Sequence, residues 1–289
     1  MHTDVQVLGE MMMGTGRGMM KILGAWAAAA LICVVPAAHA AVTTVAYYKL
    51  GEADPGAVVG ATAANPTVAS AGSVNLPRIG APVYSAQNIV RPTPIAVAFN
   101  GSSDGFRVAA PISTVTDNFG IEAWVRPTST AGNSVIAYNG DTSTSGGGIF
   151  RQGNGYGVLY GGNVLAVVAG SVALNQWTHL AVVRNAGTTT IYRNGVSIGS
   201  TATAPNLPAG GFSIGTNPTA ASEFFSGEID EVRMFTFSPG QFVVGDLLTG
   251  LSYSEPTRGV PATSWHAQGL LLLALFGLGA WTLRRRASR

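Results

Sequence analysis

An all-β sandwich or barrel is what this sequence predicts, and three observations carry it. Short β-type runs recur between turn signals, the body of the chain has no helical period, and two pairs of consecutive runs are joined by tight-turn residues.

The first convincing run is Val45 to Leu50. It lies in a stretch from Ala41 to about Arg91 that is rich in Ala, Gly, Pro and Val and otherwise reads as a loosely patterned approach to the domain. Ile95 to Phe99, Phe106 to Val108 and Phe119 to Val125 follow. In the last of these, alternation places Phe119, Ile121, Ala123 and Val125 on one face and Glu122, Trp124 and Arg126 on the other. Pro127, with no N–H to give a ladder, ends the run. One face belongs to the core; the other, with a tryptophan between two charges, is not simply a solvent face.

Trp177 to Arg184 turns at Asn185-Ala186-Gly187 into Thr188 to Tyr192, which turns at Asn194-Gly195 into Val196-Ser197-Ile198. Asn-Gly suits a two-residue hairpin, whose central positions are left-handed. A last strand is expected over Ile229 to Phe235. Gln241 to Leu248 fits a short helix or a further strand, at the head of a Gly/Ser/Pro-containing linker that reaches Thr263.

Both ends of the chain are apolar. Lys21, a run from Ile22 to Val35, Pro36 and then Ala38-His39-Ala40 follow the charged, hydrophobic and small-residue order of a secretory signal. Cleavage is expected after Ala40, with Ala38 and Ala40 as the small residues of the site. Met1 to Gly18 has no apolar period and several methionines, so the start lies at Met19 or Met20, or the leader has a long first region. Cys33, the only cysteine, falls inside this signal, which excludes a disulfide, a thiolate nucleophile or a thiolate metal site from the mature protein.

At the other end Gly269 to Leu283 carries almost no polar side chain and is followed by Arg284, Arg285 and Arg286. Counted from Trp265 it is long enough to span a bilayer as a transmembrane helix. Positive residues stay inside, which leaves the domain outside, the side the export signal also demands. The expected division is a signal at 1–40, one domain at 41–240, a linker at 241–263 and a membrane-directed tail at 260–289. From Ala41 to Gln268 there are ten Lys/Arg against twelve Asp/Glu, a net charge of −2 that excludes a nucleic-acid footprint.

Five motifs appear in one order: Phe99-Asn100-Gly101, Phe119 to Val125, Gln176 to Val182, Ile191 to Gly195 and Gly227 to Arg233. Together they resemble laminin-G-like domains of the concanavalin A-like jelly-roll superfamily, over roughly Ala41 to Gly240. The resemblance implies a jelly-roll β-sandwich. Val260-Pro261-Ala262-Thr263-Ser264-Trp265, the apolar run and the arginines resemble a second pattern, the IPTL-type sorting signal of Gram-negative bacteria. Ile-Pro-Thr-Leu itself is absent. That resemblance implies processing by an exosortase-like enzyme and delivery to the cell surface or matrix; an uncut single-span anchor fits the same residues.

Glu228-Ile229-Asp230-Glu231 invites comparison with the carboxylates of jelly-roll glycosidases, but strand alternation speaks against it. Glu228 and Asp230 share a face, Glu231 points away, and Val232 takes the next position on the productive face. His179, the single histidine between Ala41 and Ser264, sits mid-strand in an apolar run, where a satisfied structural histidine is expected rather than a catalytic one. Catalysis is therefore not expected. With His and Cys so scarce, only a hard cation on oxygen ligands is open. By resemblance a structural calcium would use Asp230, with Glu52 as partner; the other reading pairs Asp230 with Arg233 or Arg126.

For a ligand, the Gly/Asn/Tyr-rich stretch containing Tyr138, Asn139, Asp141, Tyr156 and Tyr160 offers rings and amides suited to sugar faces and hydroxyls. Half-buried sandwich tyrosines would look the same. Two functions from different classes are left: a module binding carbohydrate such as an exopolysaccharide, or a structural or adhesive surface protein whose partner is another protein.

Overall fold

The computed structural model describes residues 42–86 and 95–249. The expected signal helix and transmembrane helix lie outside them, and among the described residues no helix is long and apolar enough to cross a membrane.

Among the described residues, fifteen strands, numbered in chain order, form two antiparallel sheets. Sheet A is eight-stranded, running β13 (Val196–Thr201), β12 (Thr188–Arg193), β11 (Thr178–Asn185), β6 (Phe119–Pro127), β15 (Ser226–Thr236), β4 (Ala96–Asn100) and β3 (Val83–Ser85), with β1 (Thr43–Tyr48) also on β15. Sheet B is seven-stranded, running β10 (Asn163–Ala169), β9 (Gly155–Tyr160), β8 (Ser145–Gln152), β7 (Asn133–Asp141), β14 (Gly211–Ile214), β5 (Gly105–Val108) and β2 (Arg78–Ile79).

The core lies between the sheets. Ile121, Ala123 and Val125 of β6 and Leu180 and Val182 of β11 meet Ile149, Tyr156, Val158, Phe212 and Ile214 of sheet B. Each large apolar side chain buried here contributes about 1.5–3 kcal/mol. The period-two pattern of β6 thus comes out as expected, Phe119, Ile121, Ala123 and Val125 facing inward. So do the hairpins: β12 and β13 pair Arg193 with Val196, and Asn194 and Gly195 between them have φ of 50° and 77°.

β15 is the longest strand, and two partners share one of its edges: β4 pairs its first half, Ser226 to Ile229, and β1 its second, with Thr43 opposite Thr236. Of the stretch expected as a loose approach, the described residues 42–86 are not loose, since β1, β2 and β3 all join the sheets. Its order comes from a side chain rather than a pattern. The buried Asp54 carboxylate accepts the Val68 N–H at 2.6 Å, the Tyr84 hydroxyl at 2.7 Å and the Thr67 hydroxyl at about 3.0 Å, folding the segment around one anion.

Beyond β15, residues 241–249 form neither a regular helix nor a strand. They contain one 3-10 turn, Val244–Asp246, and run over the outer face of sheet A, where Leu247 and Phe242 pack with Ala181, Val183 and Phe235. Packing on the sheet thus continues past the expected boundary at 240.

Candidate functional site

The outer face of sheet A carries the densest set of ionisable groups. β6 and β15 bring Glu122 opposite Arg233, and β6 and β11 bring Trp124 opposite His179. Glu122 and His179 are fully buried. The Glu122 carboxylate receives Nε and Nη2 of Arg233 on Oε1, and His179 Nε2 at 2.8 Å and the Leu248 N–H at 2.9 Å on Oε2. Trp124 donates its indole N–H to the Leu248 carbonyl at 2.8 Å and meets the His179 ring edge-on, centroids 5.4 Å apart. Burial by itself would raise the Glu122 pKa; the His179 bond and the Arg233 charge outweigh it and hold the carboxyl below the usual range. A carboxylate with both oxygens filled by four donors has no lone pair to offer a substrate, so this cluster locks structure rather than moving protons.

Glu228 and Asp230 lie on the same outer face, opposite Arg126 and Trp124, and Arg126 Nη1 holds Glu228 at 2.9 Å. Simple alternation fails one step later. A register shift between Asp230 and Arg233, with Glu231 at φ 53°, inserts an extra residue. Val232 turns into the core and Arg233 takes the outer position, a correction to the strand reading that placed Val232 there. The carboxylate run therefore ends in a guanidinium that neutralises Glu122.

The expected calcium pair sits where β1 leaves β15, with Tyr48 opposite Val232. Asp230 is buried and accepts the Glu231 N–H; Glu52 accepts the Ile95 N–H at 3.0 Å, and burial raises its pKa. Among the described residues no group of three or more His, Cys, Asp or Glu converges, whereas calcium takes roughly six to eight oxygens.

The five residues expected to hold a ligand are split between two faces. Tyr156 and Tyr160 point into the core between the sheets, and Tyr138 points to the outer face of sheet B with Val135, Phe150 and Leu159. All three tyrosines are buried, and burial pushes each phenol pKa up. The Tyr138 hydroxyl donates to the Ser145 carbonyl at 2.9 Å and accepts the Gly161 N–H at 3.1 Å, and its ring lies where a Cβ on Gly148 would stand, 2.8 Å from Cδ2. Asn139 is spent on the Ser113 carbonyl and the Ile112 N–H. Asp141 alone stays half-exposed, capping the Ser143 N–H in the turn before β8. Alternation turns Tyr156 and Tyr160 inward, whereas Tyr138 is buried on the other face of the sheet.

A loop over residues 216–224 covers part of that outer face. Asn217 donates to Thr142 and Glu223, and the Glu223 carbonyl takes the Val135 N–H at 2.9 Å. The Asn206 amide donates to the Thr144 carbonyl at 2.9 Å, so three polar loops meet around Asp141. Tyr138→Phe is expected to lower stability by about 1–2 kcal/mol, whereas Tyr156→Phe, which removes a buried hydroxyl with no partner among the described residues, leaves it unchanged or slightly higher; thermal melts of the two variants check this.

The profile of the concanavalin A-like lectin/glucanases superfamily matches residues 100–239. No curated protein matches the chain. Among solved structures, domain 4 of the extracellular GH43 arabinanase AbnA from Geobacillus stearothermophilus, in complex with arabinotriose, aligns at 20% identity over 71% of this chain and 98% of that one, with a TM-score of 0.48. The binding domain of botulinum neurotoxin serotype D aligns at 13% identity over 71% of this chain and 50% of that one, with a TM-score of 0.49. Trypanosoma rangeli sialidase aligns at 15% identity over 68% of this chain and 31% of that one, with a TM-score of 0.45. The chain thus spans half or less of the last two. Residues 100–239 match a laminin-G-type, concanavalin A-like domain, and the two-sheet sandwich described here is consistent with the jelly roll of that superfamily.

Proposed function

We propose that this chain is an exported, non-catalytic binding module of a Gram-negative cell surface or matrix, and that its ligand is a carbohydrate, an exopolysaccharide in particular. The 1–40 signal exports it, and the 260–289 tail holds it at the membrane until an exosortase-like enzyme releases it.

The superfamily match at 100–239 supports the carbohydrate class. The observation that carries the non-catalytic reading is the state of the carboxylates on sheet A: Glu122 is saturated by four donors and Glu228 is held by Arg126. The surface offered to a glycan is the rim of polar loops around Asp141, with Ser143, Thr144 and Asn206 exposed there to match sugar hydroxyls. Pull-down of the purified mature protein on the producing organism's own polysaccharides is expected to retain it, and Asp141→Ala with Asn206→Ala to weaken retention at least about tenfold. Failure on every such polysaccharide would remove the reading.

A protein partner is the second reading. Its support is two adjacent exposed apolar side chains, Val243 and Val244, at 43% and 40%.

A further inference from the structure

We propose that residues 241–249 are a releasable strap, which lifts off the outer face of sheet A while the two-sheet sandwich stays folded. The backbone hydrogen bonds that the described structure gives this segment are all local: Gln241 to Ser238, Asp246 to Val243, Leu247 to Val244 and Thr249 to Leu247. What ties it to the sheet is side chains, Glu122 on the Leu248 N–H, Trp124 on the Leu248 carbonyl, and Arg233 on the Asp246 carbonyl at 2.6 Å.

Among the described residues, lifting the strap breaks no strand pairing. It leaves Glu122 bonded to Arg233 and His179, so water replaces one N–H and no buried charge is orphaned. Val243 and Val244 within the strap are exposed. Opening frees nine residues, which adds roughly 30 Å of extended chain beyond the sandwich, and it uncovers Trp124 and Phe235.

Native-state hydrogen exchange on the full exported chain, with and without Ile149→Val, tests this. Ile149 is buried between the sheets and away from the strap, so the substitution weakens the sandwich in the closed and open states alike. The expected result is that the amides of Asp246, Leu247 and Thr249 exchange at least about 100-fold faster than those of Ile121 and Val182, with little denaturant dependence. Ile149→Val then speeds the central strands and leaves the strap unchanged, while Leu247→Ala speeds the strap. Strap amides that exchange at the central-strand rate, or that accelerate in step with them in Ile149→Val, would overturn the proposal, because the strap would then open only with global unfolding.

Discussion

Glu122→Ala is expected to lower the unfolding free energy by about 3–5 kcal/mol at pH 7, read as a drop in the urea midpoint at unchanged slope. The size follows from what the substitution removes: the anion of the buried Arg233 guanidinium, the acceptor of His179 Nε2 and the carboxylate oxygen that the Leu248 N–H meets. Replacing a matched buried pair with apolar residues can be neutral, but removing one partner is not. Glu122→Gln, which keeps the shape and loses the charge, gives the pH dependence. The Glu122 carboxyl sits below its ordinary value of 4.5 in the folded protein, so the stability it contributes is complete above that value and is lost as the pH falls through the lower, folded one. The gap between wild type and Glu122→Gln therefore closes as the pH falls through the carboxylate range. A gap that widened as the pH fell would show that the carboxyl is not held ionised by Arg233 and His179.

The second large effect is expected at Arg151. Its side chain is 1% exposed, yet every nitrogen finds a partner: Nε donates to the Ser134 hydroxyl at 3.1 Å, Nη1 to the Gly132 and Gly153 carbonyls at 3.2 and 2.8 Å, and Nη2 to the Ala131 carbonyl at 2.9 Å. One guanidinium thus closes the connection between β6 and β7 and fastens it to the turn after β8. Arg151→Ala removes every one of these bonds and is expected to cost about 3 kcal/mol in chemical denaturation. Arg151→Lys recovers less than half of that, because an ammonium cannot reproduce the planar fork. Equal stability of the lysine variant and wild type would mean that charge alone, not the fork, holds the loop.

What the sequence revealed and what it concealed have a common cause. Alternation and turn chemistry are local, so β6, the β11–β12–β13 hairpins and the inward face of the core were legible from Phe119 to Val125 and from Asn194-Gly195. Features fixed by a distant partner were not. Nothing near Asp54 announces that its carboxylate will gather Thr67, Val68 and Tyr84, and the bulge at Asp230 and Glu231 is invisible to a two-residue period, so plain alternation puts Val232 on the wrong face. The candidate ligand set shows the same limit. Tyr156 and Tyr160 share a parity that the sheet turns inward, whereas Tyr138 shares a strand with Asp141 but packs on the opposite face of the sheet from the other two. The Glu122–Arg233–His179 cluster left one trace in sequence, a tryptophan flanked by charges on the face of β6 that ought to have been wet.

We propose that a lectin-type sandwich with Glu122 and Glu228 committed to structure binds a glycan and does not cut it. One measurement addresses both halves: incubate the purified mature protein with the producing organism's exopolysaccharide, and follow retention on the polymer and release of reducing ends in the same sample. Retention that persists over hours, with no reducing ends above the protein-free control, is the expected result. Release of reducing ends that is lost in Glu122→Gln or Glu228→Gln, or no retention at all, would contradict it.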